Sequence, residues 1–341
     1  MDSPPTRLPL SFIAPDIERT RPLLDGVVQP EGITLITTRS MGNETFWRQL
    51  KFQEYDISAM SISSYIIAKL QGIDMVAIPV FPSRRFMHSD LSYHVDSGIK
   101  QASDLVGKKI GVGEYQQTAA LWVRGTLEHD FGVSQYKVDW YMERTEELSH
   151  GGATHFTPPP GISFQRLPPE KSLASALVHH EIDVASVHRA FLNVNSVIDR
   201  STQIRARSGD WSKVKPLFPD KIEEGTRYFK KHGYIPANNI YTIRGELQRK
   251  HPWVAFNLYK AFLAAKQVAQ ERLVEDIPSA LVFGPEYLAK TREIFGPDPY
   301  PYGMKANQRM LDDLVSFSYE QGLIPRKPEM EELFAPSTLD L

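Results

Sequence analysis

The segment 78–89, IPVFPSRRFMHS, sets two prolines, two arginines and a histidine directly behind an apolar, strand-like run. A strand that ends in fixed backbone and paired guanidinium forks is suited to holding a carboxylate, because each fork donates two parallel N–H bonds. Neighbouring side chains on extended backbone point to opposite sides. One of Arg84 and Arg85, next to Ser83, is therefore expected to face a ligand while the other forms a surface salt bridge; the residues alone do not rank them. His88 is the candidate proton carrier, since imidazole titrates near neutrality; its blander role is structural hydrogen bonding. A second anion-binding end is read in 112–125, VGEYQQTAALWVRG, where a strand turns into a helix whose first turn carries Gln116, Gln117 and Thr118. Just ahead of it, Glu114 is a structural or catalytic carboxylate. Tyr115 can stack on or hydrogen-bond an aromatic ligand.

Three further segments complete the candidate set. In 55–64, YDISAMSISS, Ser61, Ser63 and Ser64 can cap a helix while leaving its first N–H groups free for an anion. In 16–20, DIERT, Arg19 opposes a helix dipole, which calls for a partner carboxylate: a ligand, or Asp16 or Asp56. His188 and Arg189 form another basic pair behind a strand. No HxH, HExxH or clustered carboxylates mark a metal site, and no GxGxxG, P-loop or GxSxG motif is present. Neither metal nor organic cofactor is expected.

These residues fall at the ends of regular elements. Residues 8–14, 32–37, 56–60 and 75–81 read as strands, with helices at 44–51 and 61–70 between them. The pattern restarts with strands at 91–95, 138–140, 162–167 and 182–187, a helical turn leading into a strand within 103–112, and helices at 118–131, 173–180 and 223–232. Residues 149–160, SHGGATHFTPPP, read as a Gly/Pro-rich loop. Repeated βα alternation implies mostly parallel sheets, whose ligands bind beyond the carboxyl ends of the strands. Residues 234–243 return as a strand. The rest is helical, at 253–271, 286–294 and 307–319, and the final 15 or so residues are read as an acidic, proline-containing surface arm.

With 341 residues, the chain fits two lobes better than one small core. Net charge of −2 gives no global field for nucleic acid or an anionic membrane, so any anion site must be local. Residues 1–7, MDSPPTR, lack the basic start and apolar core of a secretion signal, and no apolar run is long enough to span a membrane. The expected setting is cytoplasmic. The absence of cysteine excludes disulfides, thiolate metal sites and cysteine nucleophiles.

The quoted segments 16–20, 55–64, 78–89 and 112–125 resemble the 4,5-dihydroxyphthalate decarboxylase family, an enzymatic offshoot of the type II periplasmic-binding-protein fold, over about residues 10–265. Segment 103–112, SDLVGKKIGV, resembles the entry to the second lobe of that fold. The resemblance implies an α/β fold of two lobes around a cleft, with a helical C-terminal region. Lobe 1 is expected to span 1–83 and 238–341, and lobe 2 84–237. It also implies a carboxy-lyase acting on a hydroxylated aromatic carboxylate, with no nucleic-acid or membrane partner; self-association into a homo-oligomer is compatible with it. Arginines would hold carboxylates and a histidine would protonate the ring. In 233–239, GYIPANN, the family pattern has a histidine where this chain has Asn239, next to Asn238. Asparagine hydrogen-bonds but is no general acid near neutral pH. Either the proton role passes to His88 or His188, or the substrate differs. The alternative from another class is a noncatalytic receptor for an aromatic acid or other small anion, since one scaffold hosts both functions.

Overall fold

A computed structural model describes residues 7–40, 44–186 and 209–341. The first sheet contains strands β1 (Leu8–Pro15), β2 (Ile33–Ser40), β3 (Ile57–Ser61) and β4 (Met75–Ile78). The second contains β5 (Leu91–His94), β6 (Lys109–Val112), β7 (Asp139–Met142), β8 (Ser163–Arg166), β9 (Val184–Ser186) and β10 (Val214–Pro216), before β11 (Asn239–Arg244) returns to the first. Strand order is β2-β1-β3-β11-β4 in one sheet and β10-β5-β9-β6-β7-β8 in the other. β1 pairs in parallel with β2 and β3, whereas β11 runs antiparallel between β3 and β4. β3 and β4 are buried at every position because helices cover both faces of their sheet.

The helices are α1 (Arg21–Leu24), α2 (Glu44–Phe52), α3 (Ile62–Leu70), α4 (Thr118–Phe131), α5 (His150–Thr154), α6 (Leu173–Val178), α7 (Lys221–His232), α8 (Gly245–Lys250), α9 (Trp253–Ala280), α10 (Gly284–Phe295), α11 (Gln308–Glu320) and α12 (Met330–Leu333). Local chemistry sets their ends. Asp220 caps α7 by accepting the N–H groups of Ile222 and Glu223, each at 2.9 Å, and Gly233 ends it at φ 81°. Gly132 ends α4 in the same left-handed conformation, which glycine adopts without a Cβ clash. No helix among the described residues is long and apolar enough to cross a membrane.

Two crossing segments join the sheets, and they pair with each other. Arg84 and Ala237 form an antiparallel bridge, the Arg85 N–H donates to the Pro236 carbonyl at 3.1 Å, and the Asn238 N–H donates to the Ser83 carbonyl at 2.8 Å. This two-stranded crossing carries Ser83, Arg84 and Asn238, and Asn239 opens β11 beside it. Helix α9 covers the first sheet, with Phe262 against Phe12 and Tyr241. Helix α11 instead packs on α4 of the second unit: Phe317 meets Trp122 edge to face, and Gln321 accepts from Arg124 Nε at 2.8 Å.

Several sequence expectations change. Residues 149–160 contain α5, capped by Ser149 Oγ, which accepts the Gly152 N–H at 2.8 Å; two successive glycines had masked this turn. The returning strand starts at Asn239 rather than 234, because the residues before it pair with 83–85 in the crossing between the sheets. The terminal segment is docked, not a surface arm. Leu333, Phe334 and Ala335 are buried, Tyr65 donates to the Leu333 carbonyl, and the Ala335 N–H donates to the Ala77 carbonyl at 2.9 Å. Its three apolar residues extend the first sheet's edge, which outweighs the acidic composition around them.

Candidate functional site

The amino ends of α3 and α4 meet face to face between the two sheets. β3 ends at Ser61 and β6 at Val112, so parallel strand ends from different units deliver both helix starts to one seam. Ser61 Oγ lies 2.9 Å from Thr118 Oγ1, and the Ser63 N–H donates to Thr118 Oγ1 at 3.1 Å. Ser63 Oγ donates to the Gln116 carbonyl. The N–H group and hydroxyls at the two helix starts are thus paired with one another across the seam.

A buried charged array stands directly behind this seam. Glu114 is fully enclosed and accepts from the Gln116 amide at 2.7 Å, from the His150 N–H at 2.9 and 3.0 Å, and from the Arg144 guanidinium. Burial alone would push the Glu114 carboxyl up. Its neighbours His150 and Arg144, with the donated N–H groups, outweigh that and hold it below its ordinary value. Arg144 also donates to His150 Nε2 at 3.4 Å. A guanidinium can only donate, so that nitrogen accepts and the imidazole proton sits on Nδ1, 3.0 Å from Ser64 Oγ. The chain Arg144–His150–Ser64–Ser61–Thr118 is therefore continuous across the seam, Ser64 Oγ lying 3.2 Å from Ser61 Oγ. Phe46 of α2 packs edge-on against the His150 ring at 5.8 Å.

Among the expected residues, the structure brings Ser61, Ser63, Gln116, Thr118 and Glu114 together here. Gln117 sits half-buried at the cap position of α4. Asn239 pairs with Ser61 in the β3–β11 register, and its amide reaches the Met60 carbonyl at 3.5 Å, with Asn238 donating to Asn239 Oδ1 at 3.2 Å. Ser83 lies in the crossing segment opposite Asn238.

Other expected residues are placed elsewhere. Arg84 is buried but turns away from the seam; it donates to the carbonyls of Ile235 at 2.9 Å and Pro301 at 2.8 Å and to Asn307. It clamps the C-terminal region to the crossing segments, and burial pushes its pKa down to about 10. Arg85 is the surface partner, 3.5 Å from Asp90. Arg19 pairs with Glu18 rather than Asp16 or Asp56, donates to the Pro82 carbonyl at 2.7 Å and stacks 4.0 Å over Tyr300. Tyr115 points into the core, where its hydroxyl donates to Gln135 at 2.6 Å and Arg124 lies 3.8 Å over its ring. His88 is enclosed in the second unit, 2.6 Å from Glu224 and stacked on Tyr228. Its imidazole thus has a structural partner and aromatic walls, not an opening to the seam. His188 and Arg189 lie outside the described residues.

Sequence reasoning passed over Arg144 and His150. His150 lay in the segment read as a loop, and Arg144 follows β7 with no motif around it. The available signal was their position just past β7, parallel to β6 and next to it, since such strand ends face the ligand side.

Two α/β units around paired helix starts, joined by a double crossing, make this a type II periplasmic-binding-protein-like fold. It is similar to the periplasmic aliphatic sulphonate binding protein SsuA from Escherichia coli, at 13% identity and TM-score 0.54 over 97% of this chain and 92% of that one. It also resembles the alkanesulfonate-binding protein SsuA from Xanthomonas axonopodis pv. citri, at 11% identity and TM-score 0.53 over 98% of each chain. At such identities the likeness concerns fold alone. No protein-family model matches the chain. In sequence, it is 32% identical over 338 residues, 98% of either chain, to 4,5-dihydroxyphthalate decarboxylase of Comamonas testosteroni. It is 37% identical over 185 residues to the Pseudomonas putida protein of the same name, 54% of this chain and 72% of that one. The chain belongs to the 4,5-dihydroxyphthalate decarboxylase family and is an enzyme, a carboxy-lyase.

Proposed function

We propose that this enzyme removes a carboxylate as carbon dioxide from a hydroxylated aromatic acid, 4,5-dihydroxyphthalate or a related hydroxybenzoate, with His150 as the proton carrier. The observation that carries this reading is the Glu114–Arg144–His150 array behind the facing starts of α3 and α4. Helix-start N–H groups with Ser61, Ser63 and Thr118 would receive carboxylate oxygens as the two units part about the 82–85 and 236–239 crossings. Arg144 supplies a fixed positive charge, and Glu114 keeps it in place without leaving net charge buried.

In the reaction, a ring hydroxyl feeds electron density into the ring and the acid delivers a proton to the carbon bearing the carboxylate. The ring–carboxyl bond then breaks, its electron pair restores the aromatic ring, and carbon dioxide leaves. Closure of the seam excludes water and removes the solvation that stabilises the carboxylate charge. Tying the role to His150 rather than His88 agrees with where the two imidazoles sit.

The test is carbon dioxide release over a panel of hydroxylated phthalates and benzoates, with wild type, His150→Gln and Arg144→Lys. Turnover of a ring-hydroxylated member is expected. His150→Gln should lower kcat by about 10²- to 10⁴-fold with little change in binding, and Arg144→Lys should mainly raise KM because the planar fork is lost. Turnover unchanged in His150→Gln would remove it from proton transfer. Stoichiometric binding of the panel without turnover would sink the substrate assignment.

A further inference from the structure

The second sheet has a second end. β6 and β9 run parallel, so their carboxyl ends face the seam and their amino ends lie at the opposite edge, where antiparallel β5 finishes at His94. Three segments converge there: His94, Asp96 in the turn after β5, and His180 in the turn between α6 and β9. One donor atom from each lies within 4.8 Å of the others.

We propose that His94, Asp96 and His180 form a binding site for a borderline divalent cation of the zinc class, completed by water. Two imidazoles and a carboxylate are a donor set such ions accept. Around a tetrahedral zinc, donor atoms stand about 3.3 Å apart, so the cluster must contract by about an ångström. Asp96 and His180 are exposed and their side chains can supply it.

The surroundings prepare the ligands. The two rings stack at 4.4 Å and 11°, and the His94 N–H donates to the Asp183 carbonyl at 2.9 Å. His180 Nε2 lies 3.1 Å from Asp183 Oδ1, while Asp183 Oδ2 accepts the Lys109 N–H at 2.9 Å. A backbone-anchored carboxylate behind an imidazole is the support that orients metal-ligating histidines. His180 is held at φ 54°, in the left-handed region. His94 Nδ1 accepts the Asp96 N–H at 3.3 Å, so a cation taken up at that nitrogen must displace this bond. Lys213 opposes the site: its ammonium lies 3.0 Å from Asp96 Oδ2, with Asp210 also nearby, and a cation must displace it.

The experiment uses the full chain, stripped with a chelator and titrated with zinc against a chromophoric competitor at pH 7.5, with thermal unfolding in parallel. One zinc per chain is expected, raising Tm in a chelator-reversible way. His180→Ala and Asp96→Asn should each weaken uptake at least about tenfold. Lys213→Met should strengthen it several-fold, the opposite sign, because the competing ammonium is gone. All three substituted side chains are exposed, and turnover should be retained because the seam lies at the other sheet end. No saturable uptake, or uptake that survives the combined His180→Ala and Asp96→Asn change, overturns the proposal.

Discussion

Replacing Glu114 by glutamine tests whether the array behind the seam is a true buried ion pair. The change preserves shape but removes the charge facing Arg144, whose side chain is only 4% exposed. It also sets an amide NH₂ against the N–H groups of His150 and Gly151, both of which now donate to the carboxylate. Removing one partner of a buried pair costs about 3–5 kcal/mol, because the remaining charge stays desolvated. For a chain of 341 residues the unfolding entropy near 60 °C is about 0.7 kcal/mol/K. The expected fall in Tm is therefore about 4–7 °C if the chain unfolds as one unit. Calorimetry should be run on Glu114→Gln, Arg144→Met and the double variant. The double variant removes both charges and should lose less than the two single losses combined, by about 0.5–3 kcal/mol of coupling. A Tm within 1 °C of wild type in Glu114→Gln, or strict additivity in the cycle, would refute the buried pair and remove the electrostatic basis for placing Arg144 and His150 in the chemistry.

Two other perturbations probe groups outside the seam. The Asp130 side chain is fully enclosed and accepts from Lys231 at 2.6 Å, Arg227 at 2.8 Å and His232 at 3.1 Å. Burial alone would push its carboxyl up, but these donors hold it well below the ordinary value. A depressed folded-state pKa stabilises above the unfolded value of about 3.9 and loses that contribution as pH falls towards the folded value. Asp130→Asn should thus cost about 2–3 kcal/mol at pH 7, less than a fully buried pair because Arg227 and Lys231 are part-exposed, and denaturant titrations should show the deficit shrinking below about pH 4; a deficit constant down to pH 2.5 contradicts this. His88→Ala should lower stability by about 2–4 kcal/mol through the lost Glu224 bond and ring stack, with kcat per folded molecule unchanged. A hundredfold loss of kcat at undiminished Tm would return His88 to the reaction.

Much of the architecture was legible because it rests on local rules. Thr118–Phe131 could be bounded from sequence, since a helix start followed by apolar spacing and a terminal glycine acts through residues three or four apart. The placement of 61–64 and 116–118 at helix starts followed likewise, because capping chemistry acts within a few residues. Side-chain destinations were set instead by distant partners. Arg84 and Arg85 are adjacent and chemically equal, yet Arg84 is captured by Pro301 and Asn307 more than 200 residues away, and Arg85 is left in solvent. His88 and His150 are equally plausible acids in a list of residues. His88 meets Glu224 and an aromatic wall, while His150 meets Ser64 and Arg144 at the seam. Burial and pairing free energies depend on which surfaces the folded chain brings into contact, and no spacing along the chain encodes that when the partners are 86 or 136 residues apart.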